Sequence, residues 1–242
     1  LDLDTDKFND CFDSKKYDED GHIIVAEAVK INFITELSNE GWITMPDGKK
    51  VYIGKGGTYP DHSFGKLTQS DAKKLSDGGD LSDEERGYAK EYADNAFFNI
   101  NKSLRDGHSE DNKDAIKHLD SAIKKGKLTQ NTTLHRGMVF DSHEDFNKLG
   151  LKEGTKVTFK GYTSTSLKQQ VVEDFRRGNV MVQMTIRGQK GVNVLNMIKS
   201  GTTPQKEEFE MLLARDSKFK ITSVSVDSAN KNQYNIDMEL HK

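Results

Sequence analysis

The sequence EEFEMLLA at residues 207–214 sets two glutamates on alternate positions before a short apolar run. Because alternate residues of a β-strand share a face, Glu208 and Glu210 are predicted to project together from one face of a strand. The predicted buried row on the other face is Phe209, Met211 and Leu213. An edge strand with a solvated charged face would explain the same pattern, so the glutamate pair needs support from elsewhere in the chain.

A second segment, TTLHRGMVF at residues 132–140, is predicted to be a strand with an arginine inside it. Arg136 could simply pair with a carboxylate. Its rigid fork of donors also suits the pyrophosphate of a dinucleotide. Gly137 follows and permits close approach of another backbone group. The segment is therefore a candidate for dinucleotide binding.

A third segment, GYTSTSL at residues 161–167, places three consecutive hydroxyl side chains between a predicted strand and a predicted helix. Ser166 as a helix N-cap would explain one of these hydroxyls. Ser164 and Thr165 are left without that explanation, so they join the candidate site residues.

Residues 65–130 have a helical pattern. Ser82 and Glu85 form a predicted capping box at the start of the main helix, and Gly107 stops that helix. Its apolar positions recur every four residues at Tyr88, Tyr92, Ala96, Ile100 and Leu104. A second amphipathic helix is predicted to end at Gly126.

From residue 132 the pattern changes to short β-branched or alternating segments separated by polar turns. Two short helices are predicted among these strands, near Glu144–Leu149 and Leu167–Arg176. Helices followed by a run of strands predict an α+β fold.

Residues 1–62 differ from the rest of the chain in their sequence pattern and are predicted to be an appended segment, with the main domain at 63–242. A helix is predicted over residues 24–37, where apolar residues recur at helical spacing. GWITMPDGKKVYIG, residues 41–54, is predicted to be a hairpin, and GKGGTYPD, residues 54–61, a linker.

The composition excludes several classes of function. The 242 residues are 33% hydrophobic and 31% charged with a formal net charge of -3, which gives no reason to expect nucleic-acid or membrane binding. Cys11 is the single cysteine, no histidine pair has zinc-site spacing, and no Rossmann or P-loop motif occurs. We expect a monomer without a metal. Because the chain opens at Leu1, we also expect a fragment or a processed product.

Order and spacing connect the three candidate segments. An arginine in one strand, S-T-S 28 residues later and E-x-E a further 44 residues on resemble the three-part signature of ADP-ribosyltransferases. YADNAFFNINKSLR at residues 92–105 is similar to the helix before the core in bacterial members of this family. Residues 164–186 and 208–224 are similar to the stretches that contain S-T-S and E-x-E in the family. The resemblance spans roughly residues 80 to 230.

The resemblance implies a two-sheet mixed α/β core with NAD⁺ in the cleft between the sheets. It implies that Glu210 binds the ribose and stabilises the positive charge that develops at the anomeric carbon as nicotinamide leaves. In the family, a glutamate at the position of Glu208 goes with arginine as the acceptor. A carboxylate there can polarise the arginine, which is otherwise protonated and not nucleophilic.

The other site residues are implied in the same way. The implied catalytic residues are Glu210, Glu208, Arg136 and Ser164. The implied cofactor-binding residues are Arg136, Gly137, Ser164, Thr165, Tyr92, Asn101, Phe175 and Arg177. Arg136 would hold the phosphates, and Ser164 would orient Arg136 or Glu210. Either Arg176 or Arg177 would touch phosphate, and residues 200–207 would form the loop that recognises the protein substrate.

We therefore expect an NAD⁺-protein-arginine mono-ADP-ribosyltransferase, an enzyme of the glycosyltransferase class whose partners are NAD⁺ and a target protein. An NAD⁺ glycohydrolase and a non-catalytic module that keeps the fold are the alternatives. Residues 41–54 look like short segments of bacteriophage minor head proteins, some of which end in an ADP-ribosyltransferase domain. That likeness implies a virion-associated protein delivered into the host cytoplasm, and a secreted bacterial toxin is the alternative.

Overall fold

The computed structural model describes residues 23–24, 41–45, 48–54, 57–63, 65–78, 80–174, 179–203 and 207–241. The chain divides into two compact units, Leu1–Lys66 and Leu67–Lys242. The assignment of residues 1–62 as an appended segment and of 63–242 as the main domain stays a prediction. No helix in the described residues is long and apolar enough to cross a membrane.

The first unit contains a small sheet. Its strands, in sheet order, are β1 (Ile23–Ile24), β2 (Gly41–Thr44), β3 (Lys50–Gly54) and β4 (Gly57–Asp61). The antiparallel pairing of β2 with β3 confirms the predicted hairpin. β1 runs parallel to β2.

Two predictions about the first unit are wrong in part. The stretch predicted as a linker contains β4, which pairs with β3 and buries Tyr59. Its residues are glycine-rich but also include Thr58 and Tyr59, which favour strands once a partner strand is present. Ile24 lies in a strand, not at the start of a helix. The rest of that predicted helix, residues 25–37, lies outside the described residues.

The second unit opens with helices. They are α1 (Gln69–Lys74), α2 (Asp83–Glu91), a π-helical turn (Tyr92–Ala96), α3 (Phe97–Asp106), a 3-10 turn (Ser109–Asn112) and α4 (Lys113–Lys125). The capping box of Ser82 and Glu85 is confirmed, with both reciprocal hydrogen bonds present. Gly107 ends α3 in the left-handed conformation, as predicted.

The π-helical turn was not predicted, although the sequence pattern contains its cause. Apolar residues that recur strictly every four positions drift around an α-helix, which has 3.6 residues per turn. One wider π turn takes up an extra residue and brings the later apolar positions back to the core. The turn begins at Tyr92, which is only 1% exposed, and Ile100 in α3 is also buried.

The rest of the second unit alternates strands with short helices. The strands are β5 (Thr132–Phe140), β6 (Lys156–Phe159), β7 (Thr163–Ser166), β8 (Val180–Gly188), β9 (Val194–Asn196), β10 (Glu210–Leu213), β11 (Ser217–Val226) and β12 (Gln233–His241). The helices between them are α5 (His143–Lys148), α6 (Gln169–Asp174) and α7 (Met197–Ser200). These elements confirm the α+β prediction.

These strands form one sheet in the order β6-β11-β12-β8-β5-β7-β10-β9. β8 and β12 are parallel, while β5 is antiparallel to β8. In the described strands, β5 pairs with β7 through one pair of residues, His135 and Ser166. The sheet therefore has a five-stranded part and a three-stranded part that meet at this one pair, which agrees with the two-sheet core expected from the sequence.

The three-stranded part is covered on both faces. Met211 and Leu213 of β10 belong to the larger hydrophobic cluster, which also packs the five-stranded part. Leu212 belongs to a second cluster formed with α2, α3 and α4. β10 is therefore an interior strand whose apolar residues are buried on both sides.

Candidate active site

The glutamate pair does not lie on one strand face, which corrects the prediction from E-x-E. Phe209 has a φ of 48°, in the left-handed region, and β10 begins only at Glu210. A bulky residue in that conformation interrupts the extended backbone. Glu208 therefore lies outside the strand, in a bend. Alternation also fails along β10 because Leu212 is as buried as Met211.

Glu210 is a buried carboxyl group, 9% exposed, at the start of β10. Burial raises its pKa to about 7, and the nearby charge of Glu208 acts in the same direction. A hydrogen bond from Ser164 and the charge of Arg136 lower the pKa and offset part of this rise. Burial favours the neutral acid because the carboxylate loses its hydration. Glu210 thus changes its protonation state near neutral pH.

The three hydroxyls of S-T-S each have different partners. Ser164 interacts with Glu210 and Tyr92. Ser166 donates to the backbone oxygen of Glu208 at 2.7 Å. Thr165 is buried and donates to the backbone oxygen of Met211 at 2.6 Å. This bond uses the Thr165 hydroxyl inside the sheet, and the implied contact of Thr165 with the cofactor stays a prediction.

Arg136 directly follows His135, the residue of β5 that pairs with β7 where the two parts of the sheet meet. Its Nη1 donates to the backbone oxygen of Ser164 at 2.7 Å and so connects β5 to β7. Its Nε is buried and has no hydrogen-bond partner among the described residues. Burial lowers the pKa of Arg136, and the nearby Tyr92 and Glu210 oppose that effect. Arg136 therefore has a buried donor still available.

Tyr92 and Asn101 join the helices to this group. The Asn101 amide nitrogen donates to the Tyr92 hydroxyl at 3.0 Å and to the backbone oxygen of Tyr162 at 3.3 Å. The Asn101 amide oxygen accepts the Tyr162 backbone N–H at 2.8 Å. Burial raises the pKa of Tyr92. Asn101 thus uses its amide within the protein and holds Tyr92 beside Ser164, and its implied contact with the cofactor stays a prediction.

Gly137 permits the close backbone approach that the sequence predicted, and its implied contact with the cofactor stays a prediction. A Cβ atom at Gly137 would lie 2.8 Å from a methyl carbon of Val172 and 3.3 Å from its backbone oxygen. The glycine therefore allows α6 to pack closely on β5, and the close approach is made by protein. Phe175, Arg176 and Arg177 lie outside the described residues, as do residues 204–206 of the predicted substrate loop.

Arg105 was not selected from the sequence, yet its charge acts on the site. It is exposed on α3, and it lowers the pKa of Arg136, which places the two cations within electrostatic range. In the sequence it is the last residue of YADNAFFNINKSLR, four residues after Asn101 and therefore on the same face of the helix. Groups of three or more side chains able to hold a metal ion are absent from the described part of the chain.

Solved structures with the same fold are ADP-ribosyltransferases. The C3 exoenzyme of Clostridium limosum aligns with a TM-score of 0.60 and 21% identity over 73% of this chain and 96% of its own. C3stau2 from S. aureus, solved with NAD, aligns with a TM-score of 0.61 and 19% identity, over 73% of this chain and 97% of its own. The ADP-ribosyltransferase Vis in complex with agmatine aligns with a TM-score of 0.56 and 23% identity, over 72% of this chain and 83% of its own. These alignments confirm the fold.

A comparison with curated proteins found no match. The model of the ADP-ribosyltransferase exoenzyme family matches residues 61–242, about three quarters of the chain. This range includes Arg136, Ser164 and Glu210, which the fold brings together. The chain therefore belongs to the ADP-ribosyltransferase exoenzyme family.

Proposed function

We propose that this protein cleaves NAD⁺ at the bond between nicotinamide and ribose and transfers ADP-ribose to an arginine of a target protein. One observation carries the proposal. Two carboxyl groups, two residues apart, occupy different environments: Glu210 is buried beside Ser164 and Arg136, and Glu208 lies outside the strand. Separate environments suit separate chemical tasks for the two groups.

Glu210 is assigned to bond cleavage. When the bond from C1′ to the nicotinamide nitrogen breaks, nicotinamide leaves with the bonding pair and the ribose acquires oxocarbenium character. An ionised carboxylate in a buried site stabilises this charge more than it could in water. The hydrogen bond from Ser164 and the charge of Arg136 favour the ionised form that this task requires.

Arg136 is assigned to the pyrophosphate. Its buried Nε is without a hydrogen-bond partner in the described residues, and the guanidinium fork fits two phosphate oxygens. Arg105 contributes a second positive charge from α3, close enough to act on Arg136. We assign Tyr92, held by Asn101, to the wall of the NAD⁺ site. Phe175 and Arg177 remain assigned to the phosphate–nicotinamide loop on the family resemblance alone.

Glu208 is assigned to the acceptor. In the described residues its carboxylate makes no hydrogen bond or ion pair with another side chain, and burial raises its pKa. A carboxylate of raised pKa is a better base. It can take the proton that the guanidinium loses as its nitrogen bonds to C1′. The complex of the related Vis with agmatine, a guanidinium compound, is consistent with this acceptor class.

The test uses NAD⁺ with agmatine as a defined guanidinium acceptor. Nicotinamide release together with ADP-ribosyl-agmatine would support the proposal. Release of nicotinamide with free ADP-ribose alone would identify a glycohydrolase. Absence of both products would leave a binding module that keeps the fold. The target protein would then be sought by mass shift in host lysates supplied with labelled NAD⁺.

We also propose, from the likeness of residues 41–54 to phage minor head proteins, that the chain is virion-associated and acts in the cytoplasm of a bacterial host. A secreted toxin acting on a eukaryotic protein is the alternative, and it has support from membership of the exoenzyme family. Modification of a protein in a bacterial lysate but not in a eukaryotic one would favour the phage origin.

A further inference from the structure

The bend between the two glutamates is held by residues 166–168, the holding segment, which begins at the last serine of S-T-S. The Ser166 hydroxyl donates to the backbone oxygen of Glu208 at 2.7 Å. The Leu167 backbone N–H donates to the backbone oxygen of Phe209 at 3.2 Å. The Lys168 ammonium lies over the Phe209 ring, 4.4 Å from its centroid. Consecutive residues of this segment thus hold the bend through a side-chain hydrogen bond, a backbone hydrogen bond and a cation over an aromatic ring.

These interactions explain why the bend persists. A phenylalanine in the left-handed region is strained, and such a conformation survives only where the surroundings enforce it. The Phe209 ring is buried, so the bend cannot relax without exposing it. The Ser166 hydroxyl also accepts the Lys168 backbone N–H at 2.9 Å, which ties the holding segment together. Ser166 and Lys168 therefore belong to one unit with the bend.

We propose that Ser166 and Lys168 are positioning residues that hold Glu208 for the arginine acceptor and so set how ADP-ribose divides between the guanidinium and water. This inference rests on the proposed function. It adds two residues that do not touch either substrate and act only through the geometry of Glu208.

The Ser166 hydroxyl and the Lys168 ammonium act selectively on Glu208, because Glu210 is held by backbone pairing and by Ser164, and neither of those contacts uses these two side-chain groups. Glu210 pairs with Ser166 in the ladder between β10 and β7, and its carboxyl group is buried against Ser164. Glu208 has no ladder partner in the described strands and is attached to the site through its backbone oxygen. Loosening the bend should therefore move the base and leave the cleavage group in place.

Transfer and hydrolysis give different products, so their ratio can be measured. In both reactions, the bond from C1′ to nicotinamide breaks and neutral nicotinamide leaves. In transfer, a guanidinium nitrogen bonds to C1′ and its proton passes to Glu208. In hydrolysis, a water oxygen bonds to C1′ and a proton passes to solvent. Only the transfer reaction depends on the position of the Glu208 carboxylate.

The experiment measures ADP-ribosyl-agmatine and free ADP-ribose in parallel and takes their ratio. Lys168→Met removes the cation while keeping the length of the side chain, and it should lower the ratio roughly two- to fivefold. Lys168→Arg keeps a cation over the ring and should restore it. Ser166→Ala should lower the ratio about fivefold or more, because it leaves a backbone oxygen without its donor. Lys148→Met, an exposed lysine on α5, is the matched control.

Total nicotinamide release in the absence of agmatine should stay near the wild-type rate in each variant. An unchanged ratio in Lys168→Met would overturn the inference, and so would an equal fall of both products. Lys168→Met keeps the test decisive if Ser166→Ala fails to fold. A wild-type protein that makes no ADP-ribosyl-agmatine would instead refute the proposed function, so the two failures are distinguishable.

Discussion

Glu208 and Glu210 stand on either side of Phe209, whose φ of 48° turns the chain so that only Glu210 joins the strand. The two carboxyl groups are still close enough for the charge of Glu208 to raise the pKa of Glu210. Glu210 is buried beside Ser164 and Arg136, whereas Glu208 is only half-buried. Changes to either carboxyl group should therefore have separable effects.

Glu210→Gln should nearly abolish nicotinamide release, because the amide keeps the shape of the side chain and removes the charge facing the oxocarbenium. Loss of one comparable electrostatic group in other enzymes lowers the rate by roughly 10²–10³. Single-turnover release of nicotinamide measures the effect. Glu207→Gln, which changes an exposed neighbouring carboxylate, is the control and should retain the wild-type rate of nicotinamide release. Wild-type turnover by Glu210→Gln would remove Glu210 from the mechanism.

Arg136→Lys should weaken NAD⁺ binding by roughly 10- to 100-fold although the charge is kept, since an ammonium cannot replace the forked contact with phosphate. Titration calorimetry with NAD⁺ measures the affinity. Lys102→Gln removes an exposed cation that pairs with Asp106 on α3 and should leave the affinity unchanged. Equal affinity of Arg136→Lys and the wild type would mean that Arg136 serves only to join β5 to β7.

The pH dependence of nicotinamide release should report Glu210. Activity needs the ionised carboxylate, so kcat/KM should rise with pH through about 7, well above the ordinary value of 4.5. Ser164→Ala removes a hydrogen bond that lowers this pKa, and the rising limb should move to higher pH. Ser223→Ala, which removes a serine bonded to the Asp237 carboxylate at 2.9 Å, is the matched control. A wild-type limb near 4.5 would contradict the assignment.

The same pKa makes a prediction about stability. Because the folded protein holds the Glu210 proton more tightly than the unfolded chain, its contribution to the free energy of unfolding is full below about 4.5 and is lost as pH rises through about 7. The loss at higher pH amounts to at most about 3 kcal/mol. Glu210→Gln should therefore be more stable than the wild type at pH about 8, and the difference should vanish in acid. Denaturant titrations at several pH values measure it, and a less stable variant at high pH would contradict the account.

Local signals in the sequence predicted much of this fold. The capping box of Ser82 and Glu85, the stop at Gly107 and the bounds of β5 depend on neighbours along the chain, and each was predicted. The order of Arg136, S-T-S and E-x-E indicated the family without any geometry. These features need only short-range chemistry or a motif.

The features that were missed depend on contacts between distant residues. Phe209 adopts a left-handed conformation because Ser166, Leu167 and Lys168 hold it there, and no local pattern around E-x-E contains that information. The close approach at Gly137 was predicted, but its partner, Val172 on α6, could not be read from the local sequence. The buried role of Thr165 likewise follows from its register opposite Met211.

The central claim is that cleavage and acceptor activation are separate tasks of Glu210 and Glu208. Glu208→Gln tests it most directly, with ADP-ribosyl-agmatine and free ADP-ribose measured in the same reaction. Transfer should fall by roughly 10²–10⁴, the contribution of a general base, while hydrolysis of NAD⁺ by water keeps a substantial part of its rate. Fragment mass spectra of the wild-type product on a protein target should place ADP-ribose on arginine. If transfer and hydrolysis fall together in Glu208→Gln, or if the modified side chain is not arginine, the assignment of cleavage to Glu210 and of acceptor activation to Glu208 is wrong.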